Sequence, residues 1–258
     1  QSTFQVGGNA GSAFGPLLAA AIIIPYGQGN VAWFGLFAVF ALGVLYAISR
    51  WYRNHLNLFK LKQGQAATHG LSKNRVLGAL VVLGLLVFSK YFYMASIGSY
   101  FTFYLIHHFG IPVAEAQLHL FAFLVASAAG GFLGGPLGDR IGRKPIIWTS
   151  ILGVAPFALM LPHADLFWTT VLAVLIGFVL SSAFSAIVVY AQEMMPHRIG
   201  MVSGLFFGFA FGMGGLGAAV LGLLADKTSI EYVYQLTAFL PLLGIVAAWL
   251  PPSRPAVH

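Results

Sequence analysis

Gly135-Pro136-Leu137-Gly138-Asp139-Arg140-Ile141-Gly142-Arg143-Lys144 is a ten-residue stretch set between two long apolar runs. It holds four of the chain's few charges, and both of its ends continue into sequence that reads as membrane helix. Gly135 and Gly138 let a helix end approach a neighbour closely. Gly142 suits a tight turn. Asp139 can favour a helix N-terminus or pair with a base. Arg140, Arg143 and Lys144 would hold the turn on the cytoplasmic side of a bilayer. A charge cluster that links helix ends in one state and releases them in another is a gate, whereas a plain tight turn obeying the charge-sidedness rule is the simpler alternative.

The rest of the chain agrees with a membrane setting. Charged residues make up 7% of the 258, where soluble domains carry about 25%. Apolar residues reach 59%. Such a composition excludes both a disordered chain and a water-soluble globule. The absence of cysteine excludes a disulfide framework.

A membrane helix needs about 20 mostly apolar residues. Eight stretches qualify: Gly7–Tyr26, Val31–Trp51, Val76–Tyr104, Ala116–Leu137, Pro145–Leu161, Leu166–Ala191, Met201–Ala225 and Tyr232–Leu250. No ten-residue segments of alternating hydropathy appear, which argues against a β-barrel. The expected fold class is all-α, a polytopic helical bundle.

The net charge is +7. Of the 13 Lys and Arg, 11 fall in loops that alternation of the spans puts on one side. The other side carries Glu115, Asp165, Asp226 and Glu231 with Lys227 alone. The positive-inside rule makes the basic side cytoplasmic and puts the C-terminus there. Basic loops of this kind meet anionic lipid headgroups. Scattered as they are, with no recognition fold, they do not predict a nucleic-acid partner.

Asn54–Asn74 is the one long polar segment and reads as a flexible connector. Two spans precede it and six follow. Ser2, Gly7 and Gly11 match Ser203, Gly208 and Gly212 at a constant offset of 201 residues, a spacing that six spans would fill. The first span is then the internal-repeat mate of the seventh. The chain opens on Gln1-Ser2-Thr3-Phe4 as though a helix were entered near its start, so a preceding portion is expected.

The quoted turn resembles the motif between the second and third helices of each half of the major facilitator superfamily. That resemblance implies twelve helices in two six-helix bundles around a central cavity, of which this chain matches helices five to twelve. Residues 1–52 would be the last two helices of the first bundle, 53–75 the central loop, and 76–258 the second bundle with a short tail. Eight spans would leave half the cavity wall missing, so this stretch by itself is not expected to transport.

Gly11-Ser12-Ala13-Phe14-Gly15-Pro16-Leu17-Leu18-Ala19-Ala20 is similar to the fifth-helix motif of the drug–proton antiporters in that family, with Ala19 and Ala20 in place of its last two glycines. Gly11 and Gly15 permit close helix packing, and Pro16 kinks the helix. Gly208 and Gly212 would do the same packing work in the seventh span. Longer strings strengthen the resemblance: Ser89-Lys90-Tyr91-Phe92-Tyr93-Met94-Ala95-Ser96, Ala116-Gln117-Leu118-His119-Leu120-Phe121-Ala122-Phe123, and the run from Ile199 to Gly217. They are similar to bacterial transporters that confer resistance to phosphonate antibiotics. That implies efflux of a small anionic drug, driven by inward proton flow, by a functional monomer in the inner membrane. No cofactor is expected, since the proton gradient supplies the energy. An organic-anion or sugar-phosphate symporter on the same fold is the alternative. An enzyme is not expected: there is no H-E-x-x-H, no G-x-S-x-G and no cysteine.

Lys90 is the prime candidate site residue. It lies mid-span, where a charge costs about 2.5–3.5 kcal/mol on insertion scales. It is expected either to face a cavity as the counter-ion of an anionic substrate or to pair with an acid. Tyr93 and Tyr100 share roughly its helical stripe and are expected to line the cavity. His119, near the outer end of the fourth span, is placed to bind substrate, to titrate, or to sit at the interface. Gln5 and Asn9 are further candidates for the cavity wall. Glu193 and Arg198 are expected to join Asp139, Arg140, Arg143 and Lys144 as gating residues. No metal site is expected. All six acids map to loops or span ends, so the coupling acid is expected in the preceding portion, with His119 as the alternative within this chain.

Overall fold

The computed structural model describes residues 34–60 and 72–251, with positions 7, 8, 11, 14, 15, 18, 21, 22, 27, 29 and 32 before them. The described residues are helical: α1 spans Phe34–Lys60, α2 Lys73–Phe109, α3 Val113–Ile141, α4 Arg143–Leu152, α5 Ala155–Met160, α6 Leu166–Ser181, α7 Ala183–Met194, α8 Ile199–Lys227 and α9 Ile230–Thr237. Short 3-10 segments cover Leu161–His163, Pro196–Arg198 and Leu240–Trp249.

Together these elements form six stretches long and apolar enough to cross a membrane: Asn74–Phe109, Val113–Ile141, Arg143–His163, Leu166–Met194, Pro196–Lys227 and Ile230–Trp249. They coincide with the third to eighth spans expected from sequence. The first expected span lies largely outside the described residues. The polar connector is shorter than expected, because α1 runs on to Lys60 and α2 begins at Lys73.

The turns have local causes. Gly110 ends α2 at φ 69°, and its N–H donates to Ile106 O at 3.0 Å. Gly142 separates α3 from α4 at φ 101°, a backbone region that a side chain would strain. The Asp165 carboxylate caps α6 by accepting from Trp168 N at 2.8 Å. The Ser229 hydroxyl accepts from Tyr232 N at 3.2 Å to start α9.

Three of the described spans are broken where the sequence reads as continuous, the last of them between Thr237 and Leu240. The third crossing bends at Gly153–Val154, ahead of Pro156 at the start of α5. The fourth bends at Ser182, whose hydroxyl donates to Val179 O at 2.7 Å and pairs with Ser150 Oγ at 2.5 Å. By contrast, α3 runs through Pro136 without interruption.

The core is assembled around α2, which packs against α8, α3, α9 and the Leu240–Trp249 segment. Leu83, Leu86, Val87, Ile97, Phe101 and Leu105 on α2 are fully buried, with Phe123, Ile147, Ile176 and Ile187 from the neighbouring helices. The α3–α6 contact is close enough to require glycine. A Cβ at Gly130 would overlap the Phe178 backbone, and one at Gly134 the Ser182 backbone. Gly138 has room for a Cβ at 3.7 Å from Ala186 Cβ. The opposite outcome holds on α8: Leu205, Phe211, Leu216 and Leu223 are exposed, and a Cβ at Gly208 or Gly212 would meet nothing within 4 Å.

Candidate functional site

Lys90 sits in the middle of α2 and is 4% exposed. Its Nζ lies 5.4 Å from the Tyr91 ring centroid and 5.3 Å from that of Phe184 on α7. Both are within cation–π range. The two rings meet edge to face at 5.2 Å, and Phe207 of α8 closes on Phe184 at 5.2 Å. Among the described residues, no carboxylate or hydrogen-bond acceptor partners the ammonium. The buried amine thus has two aromatic rings and, among the described residues, no acid beside it.

The other residues of the expected stripe go elsewhere. Tyr93 is buried in the bundle core at 1% exposure. Tyr100 donates its hydroxyl to Ala218 O of α8 at 2.5 Å and lines a cavity of about 420 Å³ at the acidic end, with Phe103, His107, Asp226 and Glu231. The reason is helical drift. Ten residues turn a helix about 80° short of three full turns and carry it about 15 Å along the axis. Tyr91 and Phe184, rather than Tyr93 and Tyr100, are therefore the rings at the Lys90 ammonium.

His119 on α3 reaches across to α6. Its Nδ1 is 2.9 Å from Thr170 Oγ1, and its Nε2 is 4.0 Å from Glu115 Oε1 one turn back on its own helix. Its side chain is 22% exposed.

At the basic end, Arg143 is the centre of a three-element cluster. Its Nη1 donates to Asp139 Oδ1 at 3.0 Å and its Nε to Glu193 Oε1 at 2.6 Å, tying the ends of α3, α4 and α7. Lys144 donates to Ala248 O at 2.9 Å and also to Leu250 O, holding the end of the last span. The Tyr190 hydroxyl donates to Pro251 O at 2.6 Å beside it. Arg140 and Arg198 are exposed and, among the described residues, make no ion pair. Glu193 thus joins the Asp139 cluster through Arg143, while Arg198 stays out of it.

Gln5, Asn9 and Pro16 lie outside the described residues. Gly11 and Gly15 are exposed, and a Cβ on either would meet nothing within 4 Å. Among the described residues, no group of three or more His, Cys, Asp or Glu is arranged to hold a metal ion.

The model for the Major Facilitator Superfamily matches residues 83–258. The chain belongs to that family. It is 65% identical over 254 residues to the "Fosmidomycin resistance protein" of Escherichia coli strain K12, covering 98% of this chain and 63% of that protein. It is 42% identical to the "Uncharacterized MFS-type transporter YfnC" of Bacillus subtilis strain 168, with the same coverage. A "Multidrug resistance protein MdtG" from Salmonella typhi is 33% identical over 137 residues, 51% of this chain and 32% of that protein. The chain therefore spans 63% of the length of the first two relatives. No solved structure matches it.

Proposed function

We propose that this chain is part of a proton-driven efflux transporter that exports fosmidomycin, or a similar phosphonate or organic anion, and so confers antibiotic resistance. The observation that carries the reading is Lys90: a buried ammonium held between aromatic rings, with no carboxylate partner among the described residues. A phosphonate oxygen supplies the missing counter-charge, and the Tyr91 and Phe184 rings offer an apolar wall to the carbon chain of the drug. The similarity to the Escherichia coli protein points to the same substrate class.

In this reading the basic end faces the cytoplasm, along with the C-terminus. Residues 1–52 contribute two helices to a first bundle, 53–75 link the bundles, and 76–258 form the second. The bundles rock around a midplane site. The Arg143–Asp139–Glu193 cluster locks helix ends at the cytoplasmic mouth in one state and separates in the other. The functional unit is a monomer, embedded in lipid and needing no cofactor.

The test is reconstitution of the full-length protein in proteoliposomes carrying an internal pH dye. Fosmidomycin is expected to drive proton movement in the wild type and not in Lys90→Ala. No drug-dependent proton movement in the wild type overturns the antiport reading. Normal movement in Lys90→Ala keeps the function and removes Lys90 from the binding site.

A further inference from the structure

The rings around Lys90 continue beyond the two that face its amine. Tyr91 meets Phe184 edge to face at 5.2 Å, and Phe184 meets Phe207 of α8 edge to face at 5.2 Å. Phe207 in turn stacks on Phe211 at 6.4 Å, with the planes 27° apart. The series runs outward: Phe184 is buried, Phe207 is half-buried and Phe211 is exposed. Three helices thus contribute to one row of rings that begins at a buried amine and ends on the open face of α8.

Helical geometry explains why the row crosses the surface at Phe207. Residues advance about 100° around a helix. Counted from Phe207, the buried Leu221, Ala210 and Phe206 fall within about 100° on one side. Phe211, Gly204, Gly215 and Gly208 fall within about 100° on the other side, and all four are exposed. Phe207 therefore stands at the edge between the packed and the open faces of α8. Gly214 shares that edge, and a Cβ on it would lie 3.9 Å from Tyr91 Cδ1. A Cβ at Gly204, Gly208 or Gly215 would meet nothing within 4 Å. Beside the Phe207 ring, the open face of α8 is thus backbone without side chains at three positions. A slender carbon chain can lie along such a surface, whereas the ring edge bounds what can follow it inward.

We propose that Phe207 is the size-selecting residue of the Lys90 site. Its ring holds Phe184 in place over the amine, since edge-to-face contact favours one mutual orientation of two rings. It thereby limits the room for whatever is attached to an anionic head at Lys90. The anions accepted are phosphonates on a slender, unbranched chain, and those whose phosphorus carries a bulky ring are turned away by clash. The inference rests on the efflux reading and deepens it by naming what selects among phosphonates. Phe207 acts through Phe184 and is a positioning residue, while Lys90 holds the charge.

The experiment uses the full-length protein in proteoliposomes at equal pH on both sides. Counterflow of labelled fosmidomycin is measured with methylphosphonate or phenylphosphonate as competitor. The quantity read is the ratio of the two inhibition constants within one preparation, which neither the amount of folded protein nor a general loss of activity moves. Wild type is expected to favour methylphosphonate. Phe207→Ala is expected to shift the ratio roughly tenfold toward phenylphosphonate, the scale on which one change in a pocket wall alters discrimination. Phe207→Trp is expected to keep the wild-type preference. Phe207→Leu keeps an apolar contact with Phe184, is expected to fall between, and supplies the reading where Phe207→Ala carries no counterflow. An unchanged ratio in whichever of the Ala and Leu variants transport overturns the inference and leaves the efflux reading standing. Loss of counterflow in both, a wild-type preference for phenylphosphonate, or competition by neither phosphonate overturns it as well, assigning Phe207 to packing. No fosmidomycin counterflow in the wild type overturns the efflux reading itself.

Discussion

Arg143 Nε donates to Glu193 Oε1 at 2.6 Å across 50 residues of sequence, while its Nη1 reaches Asp139 one turn back. One guanidinium thereby ties the α3–α4 turn to the end of α7. Its fork geometry suits two carboxylates on different helices, which a lysine ammonium would serve less well.

Substitution of the pair is expected to be non-additive. Arg143→Gln and Glu193→Gln, alone and together, should show a coupling energy of about 0.5–1 kcal/mol in thermal unfolding in detergent, modest because both side chains are partly solvated. Transport should fall in each single variant and fall little further in the double one. Additive losses would mean that the two residues act separately.

The glycines of α3 and α8 should behave in opposite ways. Gly130→Ala or Gly134→Ala drives a methyl into the backbone of α6, so the helices must separate, at a cost of about 1–3 kcal/mol. Gly208→Ala meets nothing in this bundle and should change its stability by no more than about 0.5 kcal/mol. Unfolding temperatures of this chain in detergent would distinguish the two cases. Equal effects would remove the α3–α6 close approach as the reason for those glycines.

The end of the last span hangs on two side chains from elsewhere. Lys144 donates to Ala248 O and Leu250 O, and Tyr190 to Pro251 O. Tyr190→Phe should lose one hydrogen bond, about 1 kcal/mol, and Lys144→Met somewhat more because its bonds are charge-assisted. Limited proteolysis at the C-terminal segment should be faster in both, and slowest to change in Lys144→Arg. Unaltered cleavage in Lys144→Met would mean that the span end holds without it.

The sequence made some of this readable and hid the rest for identifiable reasons. Gly142 was legible because a glycine between two apolar runs and amid charges has few uses besides a positive-φ turn, and φ 101° is what it adopts. Six spans were legible because hydropathy over 20 residues is a local property. The breaks at Gly153 and Ser182 were not, since glycine and serine occur freely inside membrane helices and only their neighbours decide whether the helix bends. Lys90 was legible as a residue and illegible as a site. Its ring partner Phe184 lies 94 positions away on a helix with no distinguishing pattern, and the local stripe pointed instead to Tyr93 and Tyr100. Thr170 was hidden in the same way, as one hydroxyl among many until α6 is laid against α3.

In the proposed reading, Lys90 brings stability and function into opposition. A charge at mid-membrane costs about 2.5–3.5 kcal/mol, and cation–π contacts with Tyr91 and Phe184 return about 1–2 kcal/mol of it. Lys90→Met keeps the length of the side chain and removes the charge, so the variant should be more stable by about 1–2 kcal/mol in detergent. The same variant should bind fosmidomycin much more weakly, seen as a rise in KM in proteoliposomes or as lost tolerance in cells. Lys90→Arg keeps the charge and should retain part of the binding. A Lys90→Met protein that is less stable than wild type would mean that the ammonium has a structural anion beside it, and that its charge serves the fold before it serves the drug.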